Sequence, residues 1–445
     1  MPFFNKTPHL GAAILGATMG SVGTVIPFMM SLSPFSVSAS SGNGAGETPR
    51  ASACKDASIP LVTRDDLELK FVQILFRHGA RTPLGSGCIP KSEQSVWDKD
   101  TLFQGEADLC IDYKVRALDG RPQPEWKIEQ YYRKAPLKGG SFKGQLTAKG
   151  MKQANDLGKE LRRHYMEKLG FLPKEFNPQL VYTRSTNINR TLQSLGCLLG
   201  GLYGDTISAK ELPVTFYVDE GMEEILYPNR QRCGQLSHHY KSVFTDMFWV
   251  PEMGQTFDQF ATILDLSDEE KKKLDFINLR DEVTARLEHC KEVPDFVMNV
   301  VDVIEKNATI LMKFVIEGGN PSERNLIRFS AGPTMHYITE TIDAANKKEI
   351  PYKFHLNSCH DTTLMTVLLA LEVFDDIWPP LTASIIFELY EDKKGNAFVR
   401  ILYKNKEQRI CQSKETLLPF EKFKQLIAPV SYTAQDYADA CKVTS

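Results

Sequence analysis

Arg77-His78-Gly79-Ala80-Arg81-Thr82-Pro83 follows an apolar run, Leu69-Lys70-Phe71-Val72-Gln73-Ile74-Leu75-Phe76. The run reads as a buried strand bounded by a turn. Gly79 lets the backbone approach a ligand closely, and Pro83 forbids simple continuation of a strand. A histidine flanked by two arginines therefore leaves a strand end, the edge where α/β folds bind ligands. A neutral imidazole is a nucleophile at modest pH, and guanidinium groups offer paired donors that match phosphoryl oxygens. A lone Arg-His pair would suit a basic surface turn equally well. Seven residues in this order, directly after a strand, are far more specific.

Two later turns repeat the pattern. The strand Gln179-Leu180-Val181-Tyr182-Thr183 ends at Arg184-Ser185-Thr186, before a helix through Leu199. Ser185 or Thr186 is expected to cap that helix, whose free N–H groups favour an anion. Arg184, rather than Arg190 inside the helix, is expected to touch the anion. The strand Tyr352–Asn357 runs into Ser358-Cys359-His360-Asp361-Thr362-Thr363 and an apolar helix, Leu364–Leu371. Three strand-to-helix turns thus offer His78, Arg77, Arg81, Arg184, His360 and Asp361.

The first motif matches the RHGxRxP signature, and His360-Asp361 the HD motif, of the histidine acid phosphatase family. Motif order and separation resemble that family across residues 65–445. The resemblance implies a phosphoglycerate-mutase-like α/β fold. It would have a three-layer core, helices on both faces of a mixed sheet, and an inserted, mostly helical cap. It implies a phosphohistidine at His78, with Arg77, Arg81, Arg184 and His360 holding the phosphoryl oxygens. Asp361 would be the proton donor to the leaving alkoxide, which requires it protonated, through an acidic optimum or a pKa raised by burial. No cofactor and no metal are implied. Asn187 stands where the family more often has Asp, which puts a salt bridge there in doubt.

Leu137–Thr147, Arg184–Ile188, Glu224–Asn229 and Trp378-Pro379-Pro380 are similar to the lysophosphatidic acid phosphatase branch of that family. That likeness implies a lipid phosphate monoester as substrate, cleaved to monoacylglycerol and phosphate by a mitochondrial, monomeric enzyme associated with membrane surfaces. An apolar channel beside the arginines is then expected, walled by Tyr131, Tyr132, Phe142, Phe248, Trp249 and Phe257. The other readings are a broad acid phosphatase or phytase, a phosphoglycerate-mutase-like transferase, and a phosphatase-fold lipid-phosphate binding protein without turnover. The presence of both His78 and Asp361 argues against the last.

At 445 residues the chain exceeds one small core. A net charge of −3 gives no sign of a nucleic-acid binder. Residues 1–56 contain an uncharged apolar run, Leu10–Leu32, and then a Ser/Gly/Ala/Pro linker. They read as a targeting or anchoring segment outside the fold, mitochondrial or secretory. The core is expected in 57–83, 145–222 and 324–445, with 84–144 and 223–323 as insertion and cap. Ala383–Tyr390 and Phe398–Tyr403 read as a hairpin. The nine cysteines contain no CxxC pair, so a zinc ribbon is not indicated, and their pairing stays open.

Overall fold

The structure, a computed structural model, describes residues 58–442 except 86–88, 90–92, 103–108, 126, 208–210, 246–249, 251–252, 264–265, 268–270, 272–273 and 320–323. The segment 1–56 read as targeting sequence lies outside the described residues, as do Phe248, Trp249 and the side chain of Phe257.

The apolar run before the first motif becomes the central strand β1 (Leu67–Arg77), buried on both faces from Phe71 to Arg77. A strand with helices on either side has no polar face, which explains the continuous apolar run. The other strands are β2 (Tyr113–Ala117), β3 (Val181–Ser185), β4 (Val214–Val218), β5 (Phe354–Cys359), β6 (Ser384–Asp392), β7 (Ala397–Tyr403), β8 (Lys406–Glu407) and β9 (Leu417–Pro419). Their order is β2-β4-β3-β5-β1-β6-β7-β8, with β9 also pairing β7. The five strands from β2 to β1 run parallel, and β6 turns the sheet antiparallel as the first arm of the expected hairpin with β7. The sheet is therefore mixed.

Alternation along β1 divides the core into two layers. Val72, Ile74 and Phe76 join Leu161, Leu195 and Leu199 on one face, beneath helices α2 (Ala148–Leu161) and α3 (Asn189–Tyr203). Phe71 and Leu75 face the other side, toward helices α6 (Asn325–Asn346) and α7 (Asp361–Ala370).

Two features differ from the sequence reading. The segment 84–144 is not all insertion. Tyr113–Ala117 forms the parallel edge strand β2 against β4, followed by a short helix, α1 (Lys127–Arg133). The helical region 223–323 contains α4 (Phe276–Glu288) and α5 (Val301–Glu317). It has no separate core: Leu279, Val283, Ile304 and Leu311 belong to the same apolar cluster as Met335, Leu364 and Leu368. One cysteine pair is defined, a disulfide between Cys233 and Cys441. Among the described residues no helix is long and apolar enough to cross a membrane.

Candidate active site

The register of the sheet brings all three turns side by side, with Ser185 opposite Ser358 on the other flank of β5. Arg77 lies opposite Cys359 on adjacent parallel strands, so the loop after β1 and His360-Asp361 after β5 leave the sheet together. The first loop then bends sharply under α2. A Cβ on Gly79 would sit 2.1 Å from the Gly150 carbonyl oxygen, so only glycine fits. Three of the loop's backbone donors are taken by neighbouring elements. His78 N–H donates to Cys359 O, Gly79 N–H to Ser194 Oγ and Ala80 N–H to Gln153 Oε1.

His78 is buried, and its Nδ1 lies 2.9 Å from the Gly79 carbonyl oxygen. A carbonyl can only accept, so Nδ1 carries the proton and Nε2 presents its lone pair. Burial, then Arg190, Arg81 and Arg77, holds the imidazole well below the ordinary histidine range and hence neutral. His360 packs edge-on against it with ring centroids 5.6 Å apart, and its Nε2 lies 3.0 Å from Thr186 Oγ1. Burial, with Arg190 the next cause, holds His360 low as well.

Asp361 begins α7. Its Oδ2 accepts from Arg77 Nη2 at 2.7 Å and from the Trp378 indole N–H at 2.9 Å. Burial alone would raise its pKa, but the Arg77 guanidinium and, after it, the Trp378 N–H outweigh burial and hold the carboxyl well below the usual carboxylate range. The expectation of a carboxyl raised by burial is therefore corrected: paired with Arg77, Asp361 is held in its ionised form. Arg77 also donates to the Pro379 carbonyl at 2.6 Å, so the Trp378-Pro379 turn holds both partners.

Arg184 does not join this cluster, contrary to the sequence reading. Its Nη2 pairs with Glu224 Oε1 at 3.1 Å, and its guanidinium lies over the Tyr337 ring at 4.6 Å, beneath α6. Glu224 Oε1 also accepts from the backbone N–H groups of Ile225 and Leu226. Arg184 thus anchors the 224–226 turn.

Arg190 takes the place expected for it. It is buried, it is the strongest charge acting on His78, and its guanidinium lies 5.7 Å from the Tyr132 ring. The missed signal is geometric. Helical side chains lean toward the helix N-terminus, so an arginine in the first turn of α3 reaches back over the sheet edge. The expected capping by Ser185 or Thr186 is also not observed: α3 starts without a side-chain cap. Thr186 instead bonds Thr191 and His360. Asn187 bonds Gln123 and the Pro124 carbonyl, a neutral link where a salt bridge had been in doubt.

Four buried N–H positions around His78 have no partner among the described residues: Arg77 Nε, Arg81 Nε, and Arg190 Nε and Nη1. Orphaned guanidinium donors beside a neutral imidazole can hold an anion next to a ring nitrogen that carries a lone pair. The cleft lined by Arg77 and Arg81 is also lined by Ala80, Asp281, Thr284, Ala285, Glu288 and Leu381. Its wall is mixed in polarity, and three of the residues expected to wall an apolar channel, Phe248, Trp249 and Phe257, have side chains that lie outside the described residues. Tyr132 adjoins Arg190, whereas Phe142 lies under Arg133 and Tyr131 is largely exposed.

Comparison with known proteins adds the following. The model of the histidine phosphatase superfamily (branch 2) matches residues 68–325 and 329–404. The chain is 34% identical over 390 residues to lysophosphatidic acid phosphatase type 6 of Mus musculus, covering 86% of this chain and 90% of that protein. It is 26% identical over 398 residues to prostatic acid phosphatase of Rattus norvegicus, covering 85% and 90%. Among solved structures it resembles Bifidobacterium longum multiple inositol polyphosphate phosphatase with inositol hexasulfate. The TM-score is 0.54 at 12% identity, covering 86% of this chain and 97% of that one. That likeness speaks to the fold, a mixed sheet with helices on both faces.

Proposed function

The chain belongs to the histidine phosphatase superfamily, and on that premise we propose that it hydrolyses lysophosphatidic acid to monoacylglycerol and phosphate through a phosphohistidine at His78. The observation that carries the reading is the free Nε2 of a neutral His78 among four unpartnered arginine N–H positions. Nε2 attacks phosphorus in line, and the bond from phosphorus to the ester oxygen breaks. Arg77, Arg81, Arg190 and His360 hold the non-bridging oxygens and the charge that develops on them. Arg190 replaces Arg184 in this set. Asp361 protonates the leaving alkoxide, then takes a proton from the water that cleaves the phosphohistidine.

An Asp361 ionised beside Arg77 is compatible with that role. A phosphate anion beside Arg77 offsets the guanidinium that keeps the carboxyl low. The second phosphate ionisation lies near about pH 6, so in mild acid the substrate arrives carrying a proton that Asp361 can accept. The choice of lipid rests on relatives named lysophosphatidic acid phosphatase type 6 at 31–34% identity. For residence we propose the mitochondrion, with the secretory pathway or a membrane anchor as the alternative; the Cys233–Cys441 disulfide suits an oxidising compartment of either kind, and recovery of the tagged full-length chain in the cytosolic or the secretory fraction would refute the mitochondrial reading.

The test is phosphate release from lysophosphatidic acid, p-nitrophenyl phosphate and inositol hexakisphosphate, by wild type and His78→Ala. Wild type is expected to prefer the lipid, and His78→Ala to lose roughly a thousandfold or more in rate. Equal rates for the two proteins would end the hydrolase reading. Preference for the inositol compound would end the lipid one.

A further inference from the structure

Arg81 is held from a distant part of the chain. Its Nη2 donates to Asp281 Oδ1 at 2.7 Å and its Nη1 to Asp281 Oδ2 at 3.3 Å, while Nη1 also donates to the Thr82 carbonyl at 3.0 Å. Asp281 Oδ2 accepts in addition from the Leu84 backbone N–H at 2.7 Å. Asp281 lies on α4, between the cleft and the apolar cluster into which Leu279 and Val283 pack. The carboxylate therefore grips one edge of the guanidinium and, through Leu84, the loop that carries it.

A guanidinium has five N–H bonds and two usable edges. Asp281 takes the edge formed by the two terminal nitrogens. The edge at Nε remains, and Nε has no partner among the described residues. Two roles are open to a carboxylate in this position. It can compete with an incoming phosphate for Arg81 and repel it. It can instead lock Arg81 so that the Nε edge faces the phosphate. The geometry favours the second, because the donors that Asp281 occupies are the terminal ones and the Nε edge stays free. Burial also matters: Arg81 and Asp281 are 8% and 17% exposed at the side chain, so the pair is poorly screened and the guanidinium has little freedom to turn.

We propose that Asp281 is a positioning residue for phosphate recognition, fixing Arg81 so that its Nε edge is presented to the substrate phosphoryl group. The inference rests on the reading of the arginine cluster as a phosphate cradle. It adds that a helix outside the signature motifs completes the cradle. Helix α4 then serves both as a wall of the cleft and as the rear support of one of its three arginines.

The two roles predict opposite signs. Inorganic phosphate binding is measured by calorimetry, and kcat and KM for p-nitrophenyl phosphate by phosphate release, on wild type, Asp281→Asn and Asp281→Glu. Positioning predicts that Asp281→Asn weakens phosphate binding and raises KM, each roughly tenfold, with a smaller fall in kcat. Asp281→Glu, which keeps the charge but moves it by one methylene, is expected to fall between. In an Arg81→Ala background, Asp281→Asn should have no further effect on phosphate affinity, which a general loss of structure would not reproduce. Phosphate binding by Asp281→Asn as tight as wild type, or tighter, overturns the proposal. If that variant does not fold, the same result from Asp281→Glu does so. A wild type that binds phosphate but hydrolyses no monoester would refute the functional reading and leave the binding comparison intact as the test of Asp281.

Discussion

Arg184 and Arg190 share a charge and a stretch of chain but not an environment. Arg184 is paired with buried Glu224, so removing it leaves a carboxylate stranded in the core. Arg184→Met is expected to cost about 3–5 kcal/mol of stability while folded molecules keep their kcat/KM. Arg190 has two unpartnered nitrogens, so removing it leaves no protein group stranded. Arg190→Gln is expected to lower kcat/KM roughly tenfold to a hundredfold with little change in melting temperature. Melting curves and steady-state rates on both variants check the contrast, and the reverse assignment would restore Arg184 to the site. Trp378 carries a second expectation at this scale. Its indole N–H bonds the Asp361 carboxylate, which stabilises the charged form. Trp378→Phe removes that donor, so the Asp361 pKa rises and its protonated form survives to higher pH. The alkaline limb of the pH–rate profile should move upward. A limb that moves down or stays fixed would argue against Asp361 as proton donor.

The elements of the sheet are mostly legible in the sequence, because their apolar runs are long and end at glycine, proline or charge. β1, β5 and the β6–β7 hairpin fall where periodicity sets them. β2 was missed although Tyr113-Lys114-Val115-Arg116-Ala117 alternates; it is short and lies among glycines and prolines that read as loop. The role of α4 was not legible at all, since nothing local to Asp281 says that Arg81 will lie beside it. Likewise Arg184 looked catalytic because it ends a strand beside a signature, and only the packing of α6 and the 224–226 turn reveals its partner. Close approach is a further property that a single sequence only suggests. Gly79 and Gly150 face each other where α2 crosses the first loop, and a Cβ on Gly150 would lie 2.1 Å from the Ala80 carbonyl oxygen. Neither backbone can yield without moving His78. Gly150→Ala is therefore expected to cost about 3 kcal/mol or more and to depress kcat in whatever protein folds. Unchanged activity and melting temperature would mean that the helix and loop can separate freely.

For the molecule as a whole, the chemistry and the scaffold pull toward different pH. The proposed reaction is helped by mild acid, which supplies substrate carrying a proton. Among the described residues four buried histidines are held below their ordinary value, chiefly by burial: His78, His164, His355 and His360. His164 is pushed down to about 4, with Arg400 as the next cause, and His355 to about 3, with Arg184 next. The sign follows from proton counting. Above pH 6.5 neither folded nor unfolded chain protonates these groups, and they do not affect stability. Below it the unfolded chain takes up protons that the folded one refuses, so stability falls as pH falls. Each such group contributes a slope of roughly 1.4 kcal/mol per pH unit between its unfolded and folded values. Asp361, also held low, adds its own loss only below the ordinary carboxylate value. The melting temperature should therefore drop steadily from pH 6.5 toward pH 4.5, and His355→Gln should flatten the decline. Saturating phosphate should offset part of the loss, because a ligand bound only by the folded state stabilises it. A melting temperature that is level across this interval would show that the buried imidazoles are not held neutral, and the argument for a nucleophilic His78 would weaken with it.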